Sequence, residues 1–165
     1  MRAPFSVNNY GMKRFIFAVI LTAVIFGVML YFIPQSMQTD VFSYSQYNPE
    51  ITVYCRKTSC QAVDTGLGYL TTCSLADFKS TVACCRYVDG VSVAFAGSLY
   101  DVTAQAARLR AKEVSRQQLD DLTVICYYSP LIRERAVIDN KTVNVQIAYR
   151  NGTVTVGYPL ILGSY

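Results

Sequence analysis

Hydrophobic and polar positions follow two different regimes along this chain. From Phe15 to Ile33 the sequence FIFAVILTAVIFGVMLYFI is apolar all round, with no charge and Thr22 as its one aliphatic hydroxyl. As a helix this run would reach about 28 Å, close to the ~30 Å hydrocarbon core of a bilayer. A helix on the surface of a soluble domain would carry a polar stripe. Tyr31 and Phe32 stand at the outer end and Pro34 stops the run. The pattern predicts a single transmembrane helix over 15–33. The competing reading is a cleaved signal peptide, but the run is longer than a usual h-region, and Pro34-Gln35-Ser36-Met37 offers no small-x-small cleavage site.

Beyond residue 50 the period changes to two. Ile51, Val53 and Cys55 share one strand face, as do Val91, Val93 and Phe95 after an Asp89-Gly90 turn. Leu122, Val124 and Cys126 form a third set, and a weaker strand covers 69–72. Val143, Val145, Ile147 and Tyr149 form the longest set, followed by Asn151-Gly152 and then Val154 and Val156. Asn-Gly between alternating runs predicts an antiparallel hairpin of 142–150 with 153–157.

Helical spacing interrupts the strands twice. Ser74 with Asp77 resembles a capping box ahead of Leu75, Phe78, Val82 and Cys85. Asp101 is the N-cap candidate of a second helix, with Val102, Ala106 and Leu109 inward. Residues 112–119 read equally as its continuation or as a strand before Asp120-Asp121. The predicted fold class is α+β: an N-terminal transmembrane helix, then a small domain with an antiparallel sheet and two helices packed on one face. The domain plan is a cytoplasmic tail over 1–14, the span over 15–33, a juxtamembrane linker over 34–49 and an extracytoplasmic α+β domain over 50–165. A domain of that size buries roughly two-thirds of its unfolded surface, enough for one core.

Charge supplies the orientation. Arg2, Lys13 and Arg14 precede the apolar run with no acidic residue among them, and the next basic residue is Arg56. The positive-inside rule keeps the N-terminus in the cytoplasm. The formal net charge is +4, and those three residues account for most of it. The outer domain is near neutral, so no nucleic-acid partner is expected.

The chain has no histidine, which excludes Ser–His and Cys–His nucleophile pairs. Its six cysteines, Cys55, Cys60, Cys73, Cys84, Cys85 and Cys126, all follow the apolar run. An extracytoplasmic location permits disulfides among them, with the pairing open. Cys55 and Cys126 also suit apolar strand faces. No C-x2-C pair points to zinc or thioredoxin chemistry, and no cofactor or metal is expected. Arg108, Arg110, Lys112 and Arg116 form a basic run expected on the second helix, read as a solvated face.

The sheet face opposite the core is expected to present Tyr54, Tyr127, Asn144, Gln146 and Arg150, among Thr52, Thr123 and Thr155. Tyrosines flanked by amides and hydroxyls suit contact with a partner. The alternative is an envelope enzyme built on carboxylates, with Glu50, Asp64, Asp120 and Asp121 as candidates, although no pair has diagnostic spacing.

Four segments carry a family resemblance: Asp89-Gly90-Val91-Ser92-Val93, Tyr128-Ser129-Pro130, Val143-Asn144-Val145-Gln146-Ile147-Ala148 and Gly157-Tyr158-Pro159-Leu160-Ile161. They resemble the membrane-anchored YwmB-like proteins of Gram-positive bacteria, whose fold is similar to the TATA-box-binding protein. The resemblance implies an envelope protein without established enzymatic activity. Together these readings predict a single-pass protein of the cell membrane, integral through its apolar run. Its extracytoplasmic domain is expected to bind a protein or an envelope polymer.

Overall fold

The computed structural model describes residues 16–26 and 36–162. The chain divides into two units, Met1–Ile33 and Pro34–Tyr165. In the first, residues 16–26 are helical. The second opens with α1 (Met37–Asp40) and a 3-10 segment (Val41–Tyr47). The elements β1 (Glu50–Thr58), β2 (Val63–Asp64), β3 (Tyr69–Ser74), α2 (Phe78–Cys84), β4 (Cys85–Ala96) and α3 (Leu99–Arg108) follow. The chain then forms β5 (Lys112–Leu119), β6 (Leu122–Tyr128), β7 (Ala136–Ile138), β8 (Lys141–Val143), β9 (Val145–Arg150) and β10 (Thr153–Tyr158). Eight strands form one antiparallel sheet in the order β2-β3-β1-β4-β10-β9-β6-β5, while β7 and β8 pair separately.

The expected fold class is corrected on two points. Among the described residues no helix is long and apolar enough to cross a membrane. The helical residues described in the first unit are 16–26. The remaining positions of the expected span over 15–33 lie outside the described residues. The sheet, far from small, has eight strands, because polar runs the periodicity passes over extend it on both sides. KEVSRQQL is β5, an edge strand with one neighbour and with its residues exposed or half-buried, so no apolar alternation marks it.

The helical layer also gains a member. Residues 36–47, read from the sequence as linker, fold onto the sheet, with Met37, Val41 and Tyr44 fully buried in the main core. Ser36 caps α1 by accepting from the Gln38 N–H. Phe78 enters the core from α2, and Val102, Ala106 and Leu109 enter it from α3 and its C-terminal end. The sheet answers with Ile51, Val53, Val91, Val93, Phe95, Val145, Ile147, Val154 and Val156. The cap of α3 is Ser98, and Asp101 stands three residues inside as the second half of a capping box. The strand β3 runs through Ser74, so α2 begins four residues later than its pattern suggests.

One buried polar network joins these pieces. The Asp40 carboxylate, 4 % exposed, accepts two hydrogen bonds from the Arg108 guanidinium at 2.7 and 2.9 Å. It also accepts one from the Tyr158 hydroxyl at 2.5 Å. Tyr44 and Tyr158 share a hydroxyl–hydroxyl bond of 2.6 Å, and Arg108 donates to Tyr44 at 2.9 Å and to Gln105 at 2.9 Å. The bidentate guanidinium–carboxylate pair is closed to water at Asp40 and open to it at Arg108, whose side chain is 34 % exposed. Among the described residues no buried side-chain nitrogen or oxygen lacks a partner.

This network yields two predictions. Arg108→Ala leaves Asp40 buried without its cation and is expected to cost about 3 kcal/mol, read by denaturant unfolding. Burial pushes the Tyr44 phenol up to about 12, and burial raises Tyr158 as well. An unfolded tyrosine ionises near pH 10, so the folded state binds more protons above that pH. The stability due to these phenols is complete below about pH 10 and lost as pH rises towards 12. Thermal melts from pH 9 to 11.5 should show that fall, and Tyr44→Phe should flatten it.

The Asn151-Gly152 hairpin is present, with φ of 49° and 80°. Asn151→Val and Gly152→Val are expected to destabilise by roughly 1 kcal/mol or more each, because a β-branched residue is strained at positive φ. Thr153→Val, on the strand, should leave the melt unchanged.

Candidate functional site

All three helices of the folded unit and the 3-10 segment contribute to the core on one face of the sheet. Among the described residues of the folded unit, no helix contributes to the other face. Strand register places Thr72, Thr52, Ser92, Gly157, Gln146, Cys126 and Ser115 side by side in one row across it. The next row reads Ser74, Glu50, Ala94, Thr155, Ala148, Val124 and Gln117. These are mostly short side chains, hydroxyls and amides.

Shortness at the centre lets the chain lie on itself. After β10 the segment Pro159–Leu162 folds back across the face. The Ile161 N–H donates to Gln146 Oε1 at 2.9 Å, and the Leu162 N–H donates to Ser92 Oγ at 3.4 Å. A Cβ on Gly157 would run into the backbone of Leu160 and Ile161, and one on Gly90 would meet the Leu162 side chain. Ile161 closes a second apolar cluster with Val124 and Ala148, edged by Leu122.

Two depressions remain open on this face. The larger, 680 Å³, lies over β1 and β3, with Glu50, Thr52 and Thr72 as its floor and Gln61–Val63 and Leu162 as its walls. The smaller, 310 Å³, lies at the β9–β10 hairpin between Ala148, Arg150, Thr153 and Thr155. Arg150 donates to Asp121 at 2.8 Å, which also holds the Asp121 carboxyl below its usual range.

The predicted binding residues divide. Tyr54 lies half-buried on the helix-free face, and Arg150 is exposed there. Gln146 is on the same face but buried, spent on Ile161 and on Cys126 Sγ. Asn144 is fully buried and has a structural role. Its Oδ1 accepts from the Ser129 N–H, and its Nδ2 donates to the Ser129 and Ile132 carbonyls at 2.6 and 3.0 Å. Tyr127 is a correction: it is 6 % exposed and sits in the main core with Ile125. The phase of β6 is the reverse of the expected one. In LTVICYY both faces carry apolar residues, so alternation alone does not tell them apart. Leu122, Val124 and Cys126 face the closing segment, and Thr123, Ile125 and Tyr127 face the helices.

Of the cysteines, Cys60 and Cys84 form a disulfide with Cα atoms 5.7 Å apart, while Cys55, Cys73, Cys85 and Cys126 are thiols. Burial and the neighbouring Cys85 push the Cys55 thiol up to about 11. Among the described residues no group of cysteines and carboxylates is arranged to hold a metal ion. The four candidate carboxylates are not brought together. Glu50 lines the larger depression, Asp64 caps the Gly66 turn on β2, and Asp120 and Asp121 occupy the β5–β6 turn at the opposite sheet edge. The basic run is likewise divided: Arg108 ends α3 in the buried network, and Arg116 on β5 pairs with Glu113.

Tyr127→Ala is therefore expected to cost about 3 kcal/mol of stability, as large-to-small core substitutions do. Thr52→Val and Thr155→Val, on the open face, should each stay within about 0.5 kcal/mol. Chemical denaturation of the three variants tests this division of the two faces. No family model, no curated protein and no solved structure matches this chain.

Proposed function

We propose that the folded domain is an extracytoplasmic interaction module, tethered at the cell membrane, that binds a protein or envelope component through the helix-free face of its sheet. The observation that carries this reading is the face itself: two open depressions flank the closing segment, floored by hydroxyls with a carboxylate at one end and a guanidinium at the other. Such surfaces give orientation-dependent hydrogen bonding at little cost in ordering, since short side chains have few rotamers to lose.

The location rests on three supports. The Arg2, Lys13 and Arg14 asymmetry favours a cytoplasmic N-terminus. The Cys60–Cys84 disulfide suits an oxidising compartment. The likeness of four short segments to the membrane-anchored YwmB-like envelope proteins points the same way.

Photo-crosslinking in cells tests the reading. A crosslinking residue at Thr52 or Thr155 is expected to capture a discrete partner, and one at Thr103 on the helical side should capture none. Capture from Thr103 alone would move the interaction site to the helical layer.

A further inference from the structure

The larger depression owes one wall, Gln61–Val63, to a loop with no anchor of its own in the core. No residue between Ser59 and Leu67 belongs to either apolar cluster, and Val63 and Leu67 are 68 % and 88 % exposed. The loop is held by the two-residue strand β2, by a few hydrogen bonds, and by the disulfide from Cys60 to Cys84. Cys84 ends α2, which is anchored through Phe78. The disulfide is thus the covalent tie between a surface loop and a fixed helix end.

Cys84 opens onto a separate depression of 400 Å³, lined also by Lys57, Thr58, Ser59 and Arg86. Lys57 on β1 and Arg86 on β4 stand directly opposite each other, and both are exposed. Two like charges in register weaken a strand pair locally. Here they line one depression with the half-buried Cys84, where an anion would relieve their repulsion. Thiolates and thiols carrying carboxylates are the anions that also react with a disulfide.

We propose that Cys60–Cys84 is an exchangeable disulfide, attacked at Cys84 by an anionic low-molecular-weight thiol seated between Lys57 and Arg86. The thiolate sulfur bonds to Cys84 Sγ as the Cys84–Cys60 bond breaks. The electron pair leaves on Cys60 Sγ, which takes a proton from water. A second thiolate attacks the thiol-derived sulfur of the mixed disulfide, releasing the oxidised dimer of the small thiol and the Cys84 thiolate. The protein disulfide is reduced by two electrons and two small thiols are oxidised. Cys55, held protonated by burial beside Cys85, does not compete as an attacking group. Opening the bond frees the wall of the larger depression. That it thereby regulates binding rests on the interaction role proposed above, whereas the exchange itself does not.

The test uses the full chain in a neutral detergent, with glutathione as the anionic thiol and 2-mercaptoethanol as the neutral one. Each rate is normalised to the thiolate present. Lys57→Gln/Arg86→Gln is expected to slow opening by glutathione about fivefold at low salt and to leave the mercaptoethanol rate within about twofold. Rapid alkylation and peptide mapping should find the glutathione adduct on Cys84. Amide exchange over residues 59–68 should quicken after reduction while β4 stays protected. If the double variant melts early, Arg86→Gln alone decides, with a drop of about twofold. An equal response to both thiols, no reaction with either, or an adduct on Cys60 overturns the proposal. None of these readouts needs a partner, so failure here leaves the crosslinking test of the sheet face standing.

Discussion

The carboxylate of Asp40 is the point on which the folded unit depends. It is buried beneath the 3-10 segment and satisfied by Arg108 from α3 and Tyr158 from β10, groups 68 and 118 residues away in sequence. A buried carboxylate is tolerable only while its partners are in place, because breaking such a pair costs several kcal/mol. The network therefore selects one arrangement of three chain segments at once. It also explains why residues 36–47, polar and aromatic in sequence, are structural: Tyr44 lies between the guanidinium at 5.0 Å and the Tyr158 hydroxyl while packing on Phe95.

With helices gathered on one face, the opposite face must be stabilised by other means. Its centre is closed by the chain's own return, which needs Gly90 and Gly157 bare enough to admit Leu160–Leu162 and Gln146 to take the Ile161 N–H. Away from that centre the face is left to solvent, with hydroxyls and a few charges in place of apolar side chains. The same division separates structural from available groups. Asn144 and Gln146 are consumed by backbone partners, whereas Thr52 and Thr155 line open depressions.

The disulfide sits at the margin of this arrangement. It joins the loop after β1 to the end of α2, next in sequence to the half-buried thiol of Cys85. Its neighbours Lys57 and Arg86 are a local electrostatic conflict within an otherwise near-neutral domain. Conflicts of that kind persist where function uses them or where the surrounding strand pairing is strong enough to carry them. Here β1 and β4 pair along most of their length, so the sheet can bear it.

Local physics was legible in the sequence. Period-two runs gave β1, β4, β9 and β10, and Asn151-Gly152 gave their hairpin, because strand alternation and positive φ are properties of a few neighbouring residues. The Ser74–Asp77 and Ser98–Asp101 bonds are equally local, although the caps themselves are displaced from the expected Ser74 and Asp101 to Asp77 and Ser98. The absence of histidine likewise bounded the chemistry without any structure. Only the tertiary structure decided which side of β6 faces the helices, since Val124 and Ile125 are equally apolar and burial depends on what each strand pairs with. It alone decided that Asp40 belongs to the core, that Asn144 braces Ser129, and that Cys60 pairs with Cys84. These outcomes rest on contacts between segments tens of residues apart, and a side chain's own type does not encode its distant partner.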